Sequence, residues 1–176
     1  VDVFRHENMD GLCSSMNILL VYDSVFGNTE KITHAIRDSM GSQGNVRTVR
    51  VSDIDPDRLN GLDLLIVGSP TRAFRPTKEV TAFLNSIPAN GLKGIKVAAF
   101  DTRLSAADKR SFLFRILAKR FGYAAEPIAD KLVKKGGKLI VPPEWFIVKD
   151  PEGPLKSDEL EHAAEWARSV IEVSLA

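Results

Sequence analysis

Ser24, Asn28 and Thr29 stand close together between an apolar run, Ile18-Leu19-Leu20-Val21-Tyr22, and a helical pattern that carries Ile32, Ala35, Ile36 and Met40 on one side. Hydroxyl and amide groups at that spacing bind an anion without supplying charge. The backbone N–H groups of Val25, Phe26 and Gly27 add further donors, and the first N–H groups of a helix have no partner within it. The positive end of the helix dipole then favours an anion at the same place. The loop Asp23-Ser24-Val25-Phe26-Gly27-Asn28-Thr29 has no Lys before a Ser or Thr, and no G-x-G-x-x-G. It is therefore neither a nucleoside-triphosphate loop nor a dinucleotide fingerprint. A phosphate monoester suits it. An ordinary strand-to-helix turn, in which Asn28 or Thr29 merely caps the helix, is the competing reading.

The elements around this loop repeat one order. The run at 18–22 reads as a strand buried on both faces, and Gly41 and Gly44 close the helix that follows. Val46–Val51 alternates apolar and polar residues, as an edge strand does. Asp53–Leu62 reads as a connection with a helical turn at Pro56. Asp63–Gly68 is a second apolar strand, ending in the polar loop Ser69–Pro76. Thr77–Ile87 is helical, with Val80, Phe83, Leu84 and Ile87 at core spacing. Ile95–Phe100 is a strand leading into a loop at Asp101-Thr102-Arg103, and the last strand is Lys138–Val141, resuming at Trp145–Val148 after Pro142-Pro143. Ser157 caps a closing helix to Val173. Alternating strands and helices predict an α/β fold: a three-layer, doubly wound, five-stranded parallel sheet whose ligand lies at the carboxyl ends of the strands.

At Asp23–Glu30 the residues resemble the FMN-phosphate loop of the flavodoxin family, most closely the flavodoxin domain of flavodiiron-type proteins. Gly68-Ser69-Pro70-Thr71 is similar to that family's second flavin loop, and Gly122-Tyr123 followed by Ala124-Ala125-Glu126 is similar to the start of its fourth helix. Pro142-Pro143-Glu144 and the run Lys149–Leu155 resemble a subset of short flavodoxin-domain proteins. The resemblance implies a flavodoxin-like fold and FMN as cofactor. It implies Ser24, Val25, Phe26, Gly27, Asn28 and Thr29 as the phosphate set, and Ser69, Pro70, Thr71, Arg72, Asp101, Thr102 and Arg103 around the ring. Phe74 and Tyr123 are the aromatic candidates against the ring faces. Packing of Phe74 on the next helix, and of Tyr123 on the core, are the competing readings. Two departures stand out: Phe26 occupies a position where many flavodoxins carry Thr, and Asp101-Thr102-Arg103 replaces their usual Gly-Ser/Thr-Tyr loop. Arg72, Arg75 and Arg103 lie in the loops expected to flank the ring, where cations would ease its reduction.

The chain of 176 residues is 44% hydrophobic and 27% charged, with a formal net charge of +1, which suits one domain of ordinary size. No apolar run is long enough to cross a membrane. Cys13 is the single cysteine, so no internal disulfide is available and a reducing, cytoplasmic location is expected. Residues 1–16 lack the apolar centre of a secretory leader and read as a loose tail or extension, leaving 17–176 as the flavodoxin-like domain. Residues 104–121 read as a helical insert, apolar through Phe112, Leu113, Phe114, Ile116, Leu117 and Phe121, with Lys109, Arg110, Arg115, Lys119 and Arg120 beside them. Such a helix can pack over the sheet edge, cover the flavin, or mediate self-association as a homodimer. Its charges are too few for a nucleic-acid patch. No His, Cys or paired-carboxylate constellation suggests substrate chemistry or a metal: His6 lies in the tail, and His34 and His162 lie on helical segments. The leading expectation is an FMN flavoprotein carrying electrons between redox partner proteins. An NAD(P)H- or quinone-reducing FMN oxidoreductase, and a flavin-free module that binds a partner, are the alternatives.

Overall fold

The computed structural model describes residues 15–104 and 122–176. The expectations for the tail before residue 15 and for the insert lie outside the described residues, apart from Leu104. The sheet contains β1 (Met16–Tyr22), β2 (Gly44–Arg50), β3 (Leu64–Pro70), β4 (Lys96–Leu104), β5 (Lys138–Leu139) and β6 (Glu144–Val148). Its order is β2-β1-β3-β4-β5, and β6 pairs with β4 beyond β5 on the same edge. All pairings are parallel. β5 and β6 are thus one edge position in two pieces, opposite Lys96-Val97 and Phe100–Leu104, and Pro142-Pro143 lies at the break, where a ladder N–H is missing. That makes five strand positions of the flavodoxin-like, doubly wound kind.

Among the described residues the α-helices are α1 (Asn28–Met40), α2 (Lys78–Ser86), α3 (Ala125–Lys134) and α4 (Glu159–Leu175). Strand residues alternate between two cores because side chains along a strand point to opposite faces. Leu19, Val21, Leu65, Val67, Val97 and Ala99 pack with Val80, Phe83 and Leu84 of α2 and Ile128 and Leu132 of α3. Ile18, Leu20, Leu64, Ile66, Ala98 and Phe100 pack with Ile32, Ile36 and Met40 of α1 and Ala163, Trp166 and Val170 of α4. Phe100 touches Phe146 and Trp166 edge-on, at centroid separations of 5.8 and 5.9 Å. A Cβ on Gly68 would stand 2.2 Å from the Phe100 ring, so only glycine fits there.

Three local expectations are corrected. Ser69-Pro70 and Asp101-Thr102-Arg103 are strand, not loop: β3 runs to Pro70 and β4 to Leu104, paired residue for residue at Ser69–Asp101 and Pro70–Thr102. Polar side chains there suggested a loop, yet they are buried with partners: Asp101 with Arg103, Thr102 with Thr29, and Ser69 with the Thr77 N–H. Gly41 caps α1 in right-handed geometry, whereas Gly44 opens β2, where a Cβ would meet the Met16 carbonyl oxygen at 2.3 Å. The N-cap of α4 is Asp158 with φ 68°, not Ser157, and no side chain caps it.

Candidate functional site

The chain leaves β1 for β2 on one side and returns to β3 on the other, so the crevice of this fold opens beyond the carboxyl ends of β1, β3 and β4. A cavity of about 450 Å3 lies there, within the range of about 300–1,000 Å3 for small-molecule sites. The loop after β1 forms one side. Gly27 is the N-cap of α1 at φ 81°, a left-handed conformation, and it has no side chain with which to cap the helix. Asn28 and Thr29 are therefore the first helical residues rather than caps. Ser24, three residues before the cap, serves the first turn instead, its Oγ accepting from the Glu30 N–H at 3.3 Å. The loop is braced from below. The Asp23 N–H donates to the Gly68 carbonyl at 3.1 Å, and Asp23 Oδ1 accepts from the Ser24 N–H at 2.8 Å. Arg50 Nη2 donates to the Ser24 carbonyl and lies 3.8 Å from Asp23 Oδ1. Tyr22 donates to Glu30 Oε1 at 2.9 Å, and its burial, with Glu30 beside it, raises the phenol above its ordinary value.

Thr29 and Thr102, both buried, join α1 to β4 through an Oγ1···Oγ1 contact of 2.8 Å. A bond between two hydroxyls uses one of their two hydrogens and leaves the other to donate elsewhere. Both threonines line the cavity. Asn28 is also buried, and its Nδ2 donates to the Glu152 carbonyl at 3.0 Å. That bond draws the segment after β6 across the opening. The Lys149 N–H donates to the Pro154 carbonyl at 2.9 Å and the Lys156 N–H to the Ile147 carbonyl at 2.8 Å, so residues 149–156 fold back as a flap. Gly153, at φ 105°, lets the flap approach: a Cβ there would fall 2.5 Å from Asn28 Nδ2.

Pro70–Ala73 and Thr102–Leu104 line the cavity side by side, and the Thr71 N–H ties the first wall to the second through the Thr102 carbonyl at 2.9 Å. After Thr71 the chain makes a two-residue turn. Arg72 N–H donates to the Arg75 carbonyl at 2.8 Å and Arg75 N–H to the Arg72 carbonyl at 3.0 Å, with Ala73 at φ 47° and Phe74 at φ 64° between them. Left-handed backbone costs an L-residue about 1–2 kcal/mol, and Asn-Gly, not Ala-Phe, is the usual pair for such a turn. Arg72 is exposed and stands over the Phe26 ring at 5.6 Å.

Behind the second wall lies a buried ion pair. Arg103 Nε and Nη2 each donate to Asp101 at 2.6 Å, one to each carboxylate oxygen. The Ala125 N–H at the start of α3 donates to Asp101 Oδ2 at 2.8 Å. The guanidinium lies 3.9 Å from the Tyr123 ring centroid and 5.0 Å from that of Trp145, within cation–π range of both. Burial pushes the Asp101 carboxyl up, against the pull of Arg103 and the Ala125 N–H. Burial likewise raises the Tyr123 phenol, with Arg103 opposing.

The cavity brings together Val25, Phe26, Asn28, Thr29, Pro70, Thr71, Arg72, Thr102 and Arg103 from the expected set. Ser24 and Gly27 shape the loop from behind. Ser69 is fully buried and structural, accepting from the Thr77 N–H at 3.1 Å and donating to the Pro70 carbonyl. Asp101 sits beneath Arg103. Phe74 and Tyr123 contact each other at 6.4 Å and neither lines the cavity. Arg103 carries its own counter-ion, so of the three arginines only Arg72 reaches the cavity without one among the described residues. Ala73, Leu104, Val148, Pro151 and Glu152 also line it and were not anticipated; the Lys149–Leu155 run was the one signal for the flap. Among the described residues no cluster of His, Cys, Asp or Glu could hold a metal ion, and no helix is long and apolar enough to cross a membrane.

A family model described as a flavodoxin domain matches residues 19–138. No curated protein matches at a significant level. Among solved structures, a flavodoxin from the domain Archaea has a TM-score of 0.71 at 20% identity, covering 92% of this chain and all of its own. Flavodoxin 2 of Bacillus cereus has a TM-score of 0.70 at 23% identity, covering 89% of this chain and 98% of its own. Rubredoxin oxygen:oxidoreductase of Desulfovibrio gigas has a TM-score of 0.67 at 19% identity over 91% of this chain, which spans 37% of that longer protein.

Proposed function

The chain belongs to the flavodoxin family, and from that membership we propose that it binds FMN in the cleft at the carboxyl ends of β1, β3 and β4 and carries electrons between redox partner proteins. One observation carries the reading. The start of α1, whose N-cap is a glycine, and the paired hydroxyls of Thr29 and Thr102 lie on one cavity with no lysine in the loop. Such a donor set suits a phosphate monoester rather than a triphosphate.

The residues fit the group. Asn28, Thr29, Thr102 and the backbone from Val25 to Gly27 would hold the phosphate. Pro70–Ala73 and Thr102–Leu104 would flank the ring, and the flap at Pro151-Glu152 would close one side against water. The flavin, when bound, supplies reversible electron transfer. The protein supplies position, and the matched charges of Asp101 and Arg103 keep that wall neutral. Val25 and Phe26, 49% and 44% exposed at the rim, offer an apolar contact to a redox partner. Titration of cofactor-free protein with FMN and with riboflavin tests the reading, followed by flavin fluorescence. FMN should bind more tightly. Equal affinity for the two would remove the phosphate assignment, and failure to bind either would remove the function.

A further inference from the structure

Beside the cleft runs a second, more open groove of about 1050 Å3 between the Arg72–Pro76 turn, α2 and α3, sharing Val25, Arg72 and Ala73 with it. Arg72, Arg75, Lys78 and Lys131 line it against one carboxylate, Glu79, with Phe74 and Pro76 as apolar surface between them. The placement of these cations runs against local physics three times over. The two hydrogen bonds of the turn make Arg72 and Arg75 a directly opposed pair, and side chains of such a pair share one face at close range, where like charges repel. The turn that opposes them forces left-handed backbone on Ala73 and Phe74. Lys78 opens α2, at the end where the helix dipole disfavours a cation. Neither arginine has an ion-pair partner among the described residues. Unfavourable local choices concentrated at one place mark a site at which something else supplies the compensation.

We infer that this groove docks an acidic segment of a partner protein, next to the cleft through which that partner would exchange electrons. The inference rests on the electron-carrier reading for the partner's redox role. The cations come from three separate elements rather than converging on one point, which matches a run of carboxylates and not a single compact anion. Charge complementarity of this kind steers encounter and sets register in short-lived complexes.

The test uses the FMN-loaded protein and a fluorescein-labelled oligoglutamate peptide, with oligolysine and inorganic pyrophosphate for comparison. Binding is read by anisotropy at low and at high salt. The oligoglutamate should bind, weaken with salt, and lose about tenfold in affinity in the Arg75→Glu/Lys78→Glu variant. Neither residue lines the flavin cleft, so the flavin spectrum checks that the variant is folded and loaded, and Arg75→Gln/Lys78→Gln should fall between. Unchanged peptide affinity in the loaded variants would overturn the docking surface, as would equal binding of oligolysine. Displacement of the peptide by pyrophosphate at matched charge would overturn it in favour of a small-anion site. Failure to load FMN would instead overturn the electron-carrier reading.

Discussion

Replacing Arg103 by methionine would expose how the second wall of the cleft is held. Methionine keeps an unbranched apolar stem against Tyr123 and Trp145 but removes both donors to Asp101. Asp101 is fully buried and would keep only the Ala125 N–H of the three donors described here. Removing one partner of a buried pair costs about 3–5 kcal/mol, against about 5–15 kcal/mol for a whole domain. The loss should depend on pH. Burial already raises the Asp101 carboxyl above its unfolded value of about 3.9, and without Arg103 the folded value climbs further. A carboxyl raised on folding takes up its proton more readily in the native state, so stability increases as pH falls from the folded value toward the unfolded one. Arg103→Met should therefore regain stability on acidification more than wild type does, and the gap between them should narrow. Adding Asp101→Asn removes the stranded charge, so the double variant should be more stable than Arg103→Met near neutral pH. Urea unfolding of all three proteins at about pH 7 and about pH 5 decides it, with m-values compared as a check on two-state behaviour. A gap that stays constant with pH, or a double variant no better than the single one, would refute a charge stranded in the interior.

Thr29→Ala breaks the hydroxyl pair with Thr102 and should weaken FMN binding by about 1–3 kcal/mol with little change in fold; an unchanged titration would count against the phosphate assignment. Gly68→Ala drives a methyl into Phe100, which Phe146 and Trp166 hold in place, and should cost about 1–3 kcal/mol, read as a lower Tm. Ala73→Gly relieves one left-handed residue of the Arg72–Arg75 turn and should raise stability by up to about 1 kcal/mol; a loss instead would mean the turn is not strained.

Period and punctuation in the chain were enough to find the parallel sheet. Leu19 and Val21 alternate with Ile18 and Leu20 into two cores, and an uninterrupted apolar run is what burial on both faces requires. The loop before α1 was legible for the same local reason, since strand, small polar residues and helix follow one another within a few positions. Pro142-Pro143 likewise announced the break between β5 and β6. What the sequence could not decide depends on partners far along the chain. Asp101 and Arg103 look like loop residues until each is seen to neutralise the other inside β4. Asn28 reads as a phosphate donor alone until one of its amide hydrogens is found on Glu152, 124 residues away. Thr29 meets Thr102 across 73 residues, and the opposed arginines meet only because an unlikely pair, Ala73-Phe74, is held left-handed between them. Hydrophobic periodicity is a property of neighbours and survives in the sequence. The satisfaction of a buried charge or hydroxyl is a property of whatever the fold brings beside it, and only the tertiary structure supplies that.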